Sequence, residues 1–249
     1  MPDKAPKSDS CRLYVTSDLA VGARHVCTRE QFHYLAHVMR CRAGGHVLVF
    51  NGRDGEWRAG IAEMDKRSAL LVARGQVRPQ VAGPDIDYLF APLKRARLDY
   101  IVQKACELGA ARIRPVLTRL TQVRRVNLER MRANAVEAAE QCGILHLPEI
   151  AEPVELGALI SGWSGPRRLI FCDEAASVAS PLEALSRLAP GPVAVLVGPE
   201  GGFSAAERAE LRDLAEATAI SLGPRVMRAD TAGVAALALV NAVLGDWRE

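Results

Sequence analysis

The feature that most constrains the fold is a run of five apolar residues, Val193–Val197, which a glycine-rich segment and a helix pattern follow directly. A strand without a polar residue is buried on both faces, as in parallel sheets that helices cover on both sides. Strand and helix patterns alternate in the same way from Ile86–Phe90 to a last helix that ends at Leu244. The sequence therefore predicts an α/β domain with a mostly parallel sheet over residues 85–249.

Residues 1–80 show a different pattern, in which short apolar stretches are separated by turn residues. The turn Asn51–Gly55 lies between the strand patterns Val47–Phe50 and Glu56–Met64 and predicts a hairpin. Several short strands in so few residues predict a small β-barrel. The segment Pro79–Pro84, with two prolines, a glycine and no charge, predicts a linker between two domains.

Two helix starts can be predicted from their capping residues. Thr28 is expected to cap a helix that runs to about Met39, with Phe32, Leu35 and Val38 on its apolar face. Ser204, with Glu207 three residues later, forms the pattern of a capping box. The sequence thus predicts a helix directly after the glycine-rich segment.

Charge is distributed unevenly along the chain, behind a net charge of +3. Residues 12–135 contain 22 Lys and Arg against 11 Asp and Glu, a balance of +11, whereas residues 136–249 contain 8 against 16, a balance of −8. The basic part indicates a polyanionic partner such as a nucleic acid. A solvated surface that is rich in arginine would explain the same counts.

Other features of the sequence bear on compartment and metal binding. The polar first ten residues lack the apolar region of a secretory signal, and the longest apolar run, Ala232–Leu244, is too short to span a bilayer. None of the six cysteines forms a Cys-x-x-Cys pair, which argues against a zinc site. We expect a soluble, cytoplasmic protein without a metal.

The first segment that suggests a ligand site is Leu196–Ser204, at the junction of the buried strand and the next helix. Ligands of open α/β sheets bind at such carboxyl ends of strands. Gly198, Gly201 and Gly202 would let a ligand approach the backbone, although a tight turn would use the same glycines. The segment is neither Gly-x-Gly-x-x-Gly nor a Walker A loop, which argues against a dinucleotide or a nucleoside triphosphate.

The second such segment is Leu222–Ala232, which also joins a strand to a helix. Val226 and Met227 are apolar residues in a loop and could line a pocket for a flat group such as adenine. They could equally pack under the loop as core. Asp230 is expected to be the N-cap of the last helix.

Together the two segments resemble the cofactor loops of the SPOUT methyltransferases, in particular the ribosomal small-subunit RNA uridine-N3 methyltransferases. The chain matches that family's pattern at Arg12–Val15, His33–Leu35, Val38–Arg40, Lys104–Gly109, Ile113–Pro115, Glu140–Gly143, Gly198–Ser204 and Leu222–Ala232. The resemblance covers roughly residues 12–245. The chain departs from the pattern at Ile144, where the family usually has Arg, and at Tyr34, where it has His.

The resemblance implies a fold and a function. The fold would be a C-terminal SPOUT domain with a trefoil knot, preceded by a PUA-like β-barrel that binds RNA. The protein would be a homodimer that uses S-adenosyl-L-methionine as the methyl donor. The acceptor would be N3 of a uridine in 16S ribosomal RNA of the small ribosomal subunit, near the decoding site.

The loops and the resemblance also suggest individual site residues. The predicted cofactor contacts are Leu196, Gly198, Glu200, Gly201, Leu222, Gly223, Val226, Met227, Thr231 and Ala232. Methylation at uracil N3 requires removal of its proton or stabilisation of the anion, and the candidates are Arg228, Arg119 and Glu200, of which we favour Arg228. The predicted RNA contacts are Arg12, Arg40, Arg42, Arg124 and Arg125, each of which could instead be a solvated surface charge.

Two alternative functions remain open from the sequence. The same fold could methylate another acceptor, such as a tRNA guanine or a ribose 2′-hydroxyl. The chain could also be an RNA-binding protein without catalytic activity, although the glycines of both loops argue against a lost donor site.

Overall fold

The computed structural model describes residues 11–176 and 180–248, and the chain forms two compact units. The break between them falls after Ala82, inside the segment Pro79–Pro84. Residues 139–147 return to the first unit, while the flanking residues belong to the second. Our division into two continuous segments, 1–80 and 85–249, lacks this return, because no change of pattern sets residues 139–147 apart from their neighbours.

The first unit contains a five-stranded sheet in the order β1-β3-β4-β5-β2. Its strands are β1 (Arg12–Tyr14), β2 (Arg24–Val26), β3 (His46–Phe50), β4 (Glu56–Met64) and β5 (Ala69–Arg78). All pairs are antiparallel except β1 with β3, and three register shifts interrupt the pairing of β4 with β5. Such irregularities bend a strand and increase its twist, so the sheet curls. The predicted hairpin around Asn51–Gly55 is confirmed, whereas β2 was too short and polar to be predicted.

The predicted helix after Thr28 begins as expected but changes type after one turn. α1 (Arg29–His33) starts with a capping box of Thr28 and Gln31, and a π-helical turn follows, in which the Met39 amide donates to the Tyr34 carbonyl. A π turn holds more residues than an α turn, so side chains beyond it rotate away from the predicted face. Val38 is therefore 58% exposed, and its predicted place on the apolar face is wrong.

An interior ion-pair network joins the first unit's sheet to residues 139–147. Arg12 Nε lies 2.6 Å from Glu56, and Arg78 Nε lies 2.8 Å from the same carboxylate. Arg12 also donates to the backbone carbonyls of Ala139, of Glu140 at 3.0 Å and of Ile144 at 3.1 Å. Burial raises the pKa of Glu56, but the hydrogen bonds and charges of Arg78 and Arg12 outweigh it and lower that pKa.

This network corrects one of the predicted RNA contacts. The Arg12 side chain is only 9% exposed, and its nitrogens donate to one carboxylate and three carbonyls. Four of its five N–H donors are therefore used inside the first unit. Arg12 thus has a structural role there, which argues against the predicted RNA contact.

The second unit is built on a parallel seven-stranded sheet, whose main path has the order β12-β10-β11-β6-β7-β8, while β9 pairs with β7. Its strands are β6 (Ile86–Phe90), β7 (Arg112–Leu117), β8 (Glu149–Ile150), β9 (Val154–Glu155), β10 (Arg168–Cys172), β11 (Val193–Val197) and β12 (Ala217–Ile220). All five residues of β11 are buried, as predicted. The predicted fold class, a parallel α/β domain preceded by a curled β domain, is confirmed, and a knotted course of the last loops stays a prediction.

Helices surround this sheet. They are α2 (Arg95–Glu107), α3 (Leu128–Cys142), α4 (Leu156–Ser161), α5 (Pro181–Ser186), α6 (Ala205–Asp213), α7 (Ala229–Val243) and a terminal 3₁₀ turn (Asp246–Arg248). The predicted capping box of Ser204 and Glu207 is confirmed at the start of α6. The predicted cap of α7 is wrong, because Arg228 is its N-cap and Asp230 lies inside the first turn. The helix dipole favours a carboxylate at that position. None of the helices in the described ranges combines the length and hydropathy needed to cross a membrane.

The last helix packs closely against the sheet at one glycine. A Cβ atom at Gly233 would lie 2.3 Å from the Tyr88 hydroxyl oxygen and 2.9 Å from Cδ1 of Ile101. Tyr88 lies on β6 and Ile101 on α2, and both side chains are fully buried. Gly233 is therefore required by the approach of α7 to these two elements.

We expect Gly233→Ala to lower the free energy of unfolding by about 1 to 3 kcal/mol, because the added methyl overpacks a rigid core. The steric cost of the methyl exceeds the roughly 1 kcal/mol by which alanine stabilises a helix relative to glycine. Gly157→Ala is the matched control, since a Cβ there meets no atom within 4 Å; it should be neutral or slightly stabilising. Urea unfolding followed by circular dichroism measures both, and equal effects would contradict the close packing.

We expect Arg12→Ala to cost about 3 to 5 kcal/mol of stability, because it leaves a buried carboxylate with one partner fewer. Arg78→Ala should cost less, since the Arg78 side chain is 45% exposed and water can replace it. Hydrogen exchange of the β3 and β4 amides reports on the first unit alone. Similar loss of protection in the two variants would argue against the structural role of Arg12.

Candidate functional site

Three loops of the second unit meet at one edge of its sheet. Strands β12, β10 and β11 are neighbours and run parallel, so their carboxyl ends lie at the same edge. The loops that follow them begin at Ser221, Asp173 and Gly198, respectively. Ligands of open α/β sheets bind at this edge, which makes the three loops the candidate site.

The loops enclose a cleft, here called the carboxyl-edge cleft. It is lined by Cys172–Glu174, Val197–Glu200, Gly202, Phe203, Ile220–Gly223, Arg225–Met227, Ala229 and Ala232. Seven of the ten predicted cofactor residues line it: Gly198, Glu200, Leu222, Gly223, Val226, Met227 and Ala232. The other three lie elsewhere, because Leu196 is buried within β11, Gly201 faces a second cleft and Thr231 lies exposed in the first turn of α7.

The glycines of the first loop serve both its turn and its ligand side. A Cβ at Gly198 would lie 3.0 Å from the ring of Phe203, and Gly202 has φ +69 with a would-be Cβ 3.0 Å from Glu174. A side chain at either position would thus require its neighbours to move, whether or not a ligand is bound. Both residues also line the cleft, so a tight turn and a ligand site are both consistent with these glycines.

The apolar residues of the second loop differ in exposure. Val226 is 84% exposed and Met227 is half-buried. The alternative that both pack under the loop as core is therefore wrong for Val226, which lies at the mouth of the cleft. An exposed apolar side chain beside a cleft can cover the face of a flat ligand.

The contribution of β10 to the site was not predicted from the sequence. The buried Asp173 carboxylate lies 2.8 Å from Arg212 and 3.1 Å from Arg208, both on α6, and thereby fixes this helix to the loop after β10. Burial raises the pKa of the neighbouring Cys172 to about 12, so its thiol stays neutral. The apolar run Leu169–Phe171 with Asp and Glu just beyond its end was the available signal.

A second cleft, here called the basic cleft, adjoins the first. It is lined by Pro92–Arg97, Leu120, Gln122, Val123, Arg125 and Pro199–Gly201. The two clefts share Pro199 and Glu200. Arg97 forms an ion pair with Glu200 and lies 3.8 Å from Asp230.

The structure separates the three predicted catalytic residues. Glu200 lines both clefts. Arg228 is the exposed N-cap of α7, and Arg119 is exposed, with its backbone amide donating to Glu207 at 2.7 Å; neither lines either cleft. Of the three, only Glu200 lines both clefts.

The remaining predicted RNA contacts are all exposed arginines. Arg125 lines the basic cleft, while the neighbouring Arg124 lies 2.6 Å from Glu155. Arg40 and Arg42 belong to the first unit, and Arg40 adopts φ 55, which is uncommon for a residue with a side chain. Among the described residues, no group of three or more His, Cys, Asp or Glu side chains could hold a metal ion.

Comparisons with known proteins agree with this geometry. The chain is 29% identical over 232 residues to Ribosomal RNA small subunit methyltransferase E of Rickettsia conorii, which covers 92% of this chain and 94% of that protein. It is 30% identical over 237 residues to the protein of the same name from a Synechocystis species, over 94% and 78% of the two chains. A solved methyltransferase structure from Legionella pneumophila, in complex with bound S-adenosylmethionine, superposes with a TM-score of 0.82 at 28% identity, over 95% of this chain and 98% of that one.

Family comparison covers both units. Residues 28–73 match the RNA methyltransferase PUA domain, and residues 82–241, more than half of the chain, match the RNA methyltransferase domain. The second match contains all three loops of the carboxyl-edge cleft and the whole of the basic cleft. The chain therefore belongs to the RNA methyltransferase family, with a PUA domain ahead of its methyltransferase domain.

Proposed function

We propose that this protein transfers a methyl group from S-adenosylmethionine to N3 of a uridine in small-subunit ribosomal RNA, near the decoding site. The observation that carries the proposal is the pair of adjoining clefts that share Glu200. The carboxyl-edge cleft has the glycines and apolar walls that suit the donor, and the basic cleft has the cations that suit RNA. The names of the two curated relatives support the small ribosomal subunit as the source of the acceptor.

The carboxyl-edge cleft fits the donor in shape and in charge. A Cβ at Gly198 or Gly202 would meet neighbouring atoms, so glycine at these positions keeps the backbone of the loop accessible. Met227 and Val226 offer apolar surface to an adenine ring. The carboxylates of Glu174 and Glu200 also line this cleft, and negative charge favours a cationic donor. When bound, S-adenosylmethionine supplies an activated methyl group on its sulfonium sulfur.

Glu200 is our candidate for the group that accepts the uracil N3 proton. Its side chain is 53% exposed and lies where the two clefts adjoin. A carboxylate within hydrogen-bond reach of N3 can take the proton as the new bond forms. Arg228, which we favoured from the sequence, and Arg119 stay predictions, but Glu200 is the one of the three that a ligand in either cleft can reach.

Two further proposals concern partners. The PUA domain and its exposed Arg40 and Arg42 would bind the phosphate backbone of the RNA outside the acceptor nucleotide. We also propose that the protein is a homodimer, since Val226 and Trp247 leave 84% and 55% of their surface exposed. Burial of such side chains against a second copy would remove this apolar area from water.

The proposed function is tested by methyl transfer from labelled S-adenosylmethionine to small ribosomal subunits that lack the modification, followed by nucleoside mass spectrometry. We expect 3-methyluridine as the product. Glu200→Gln should lower kcat about 10²- to 10⁴-fold, because it removes the proton acceptor. The dissociation constant of this variant for the donor should rise no more than about fivefold, because an exposed carboxylate contributes at most about 1 kcal/mol to the attraction of a cation. A different methylated nucleoside, or no product despite donor binding, would overturn the N3 assignment.

The assignment of the carboxyl-edge cleft as the donor site is tested separately by calorimetry with S-adenosylhomocysteine. We expect Gly198→Ala to weaken binding about tenfold, because accommodating the methyl against the Phe203 ring distorts the loop by an amount typical of overpacking. Gly75→Ala is the control, since its Cβ would meet no atom within 4 Å and lies outside the cleft. Equal affinity in Gly198→Ala and the unmodified protein would argue against this cleft as the donor site.

A further inference from the structure

The start of α2 carries positive charge where helix formation disfavours it. Lys94 is the N-cap, Arg95 and Arg97 lie in the first turn, and this turn contains no acidic residue. The N-terminal end of a helix is the positive end of its dipole, so cations there are unfavourable. Lys94 also provides no side-chain hydrogen bond to the helix. Local stability therefore does not explain Lys94 and Arg95, whereas an anionic ligand would.

Three cations of the basic cleft are not neutralised by ion pairs among the described residues. Lys94, Arg95 and Arg125 are exposed, and within residues 11–176 and 180–248 none of the three forms an ion pair. Other exposed arginines of the second unit do pair, such as Arg130 with Asp99 at 2.6 Å. The basic cleft thus keeps a concentrated positive charge, which is typical of a phosphate-binding surface.

The basic cleft also has apolar lining residues. Leu120 is 44% exposed, and a Cβ at Gly201 would lie 3.4 Å from its Cδ1 atom. Val123 and Leu93 also line the cleft. Bases bind on apolar and aromatic surfaces in sites that take single nucleotides. The cleft therefore combines a surface for a base with cations for its phosphates.

Arg97 connects the basic cleft to the carboxyl-edge cleft. Its guanidinium pairs with Glu200 and lies 3.8 Å from Asp230 at the start of α7. A guanidinium has five N–H donors, so Arg97 can hold Glu200 and still donate to a ligand. Its side chain is 37% exposed, which leaves part of the guanidinium accessible from the cleft.

We propose that the basic cleft holds the acceptor nucleotide, with Arg97 against the uracil carbonyl oxygens and Lys94, Arg95 and Arg125 on the flanking phosphates. This inference rests on the proposed function. Glu200 accepts the N3 proton, and Arg97 stabilises the negative charge that develops on O2 and O4. The bond from N3 to the methyl carbon forms as the methyl–sulfur bond breaks, and the sulfur keeps the electron pair of that bond.

The test compares Lys94→Ala, Arg95→Ala, Arg125→Ala and Arg97→Ala in methyl transfer to small ribosomal subunits that lack the modification. Arg187→Ala is the matched control, because Arg187 pairs with Glu183 on the exposed surface of α5, outside both clefts. The three phosphate-contact variants should raise KM for the subunit about tenfold each, with kcat within about twofold. Arg97→Ala should lower kcat about 10²- to 10³-fold, as does loss of an oxyanion-stabilising donor. Donor affinity should be unchanged in all of them.

The outcomes distinguish this inference from the proposed function. Variants that weaken donor binding while KM for the subunit stays constant would assign the basic cleft to the donor and overturn the inference. Variants that behave like Arg187→Ala would also overturn it, even where the product is 3-methyluridine. RNA binding measured by anisotropy, with S-adenosylhomocysteine present, is independent of catalysis. Loss of that binding in the three phosphate-contact variants, with a lower salt dependence, would support the cleft even if the methylated atom were not N3.

Discussion

The parallel pairing of β11 with its neighbours is the constraint on which the site depends. Because Val193–Val197 is buried on both faces, its register between β10 and β6 is fixed by packing on both sides of the sheet. Parallel pairing then brings the carboxyl ends of β10, β11 and β12 to one edge. The cofactor loops meet there without needing any strong attraction between themselves, and the apolar core determines where the chemistry can occur.

Two requirements act on the glycines of these loops: close packing within the loop and access for a ligand. Gly198 faces the Phe203 ring and Gly202 faces Glu174, so side chains at these positions would disturb the loop even without a ligand. Both glycines also line the carboxyl-edge cleft, where the proposed donor would approach them. Gly233 shows the purely structural case, because its close approach to Tyr88 lies in the core. A glycine in a sequence thus does not reveal which demand it meets, and only the neighbouring atoms distinguish the two.

The sequence predicted what depends on local pattern and missed what depends on distant contacts. The buried strand Val193–Val197 and the capping box at Ser204 could be predicted because a few adjacent residues determine them. The carbonyl partners of Arg12 lie more than a hundred residues away at Ala139–Ile144, so a cation that resembled an RNA contact is in fact part of an interior network. Asp230 was predicted as a cap, yet α7 begins one residue after Arg228, since boundaries respond to tertiary packing.

The basic cleft illustrates how a conflict between levels of structure indicates function. Natural sequences are mostly consistent with their local fold, and exceptions cluster at functional sites. Cations at the start of α2 oppose the helix dipole, and Lys94, which is exposed, provides no side-chain cap. Charge alone along the chain showed only that its first half is basic. The position of these charges beside Glu200, at the boundary with the carboxyl-edge cleft, is what supports the proposed place of the acceptor nucleotide.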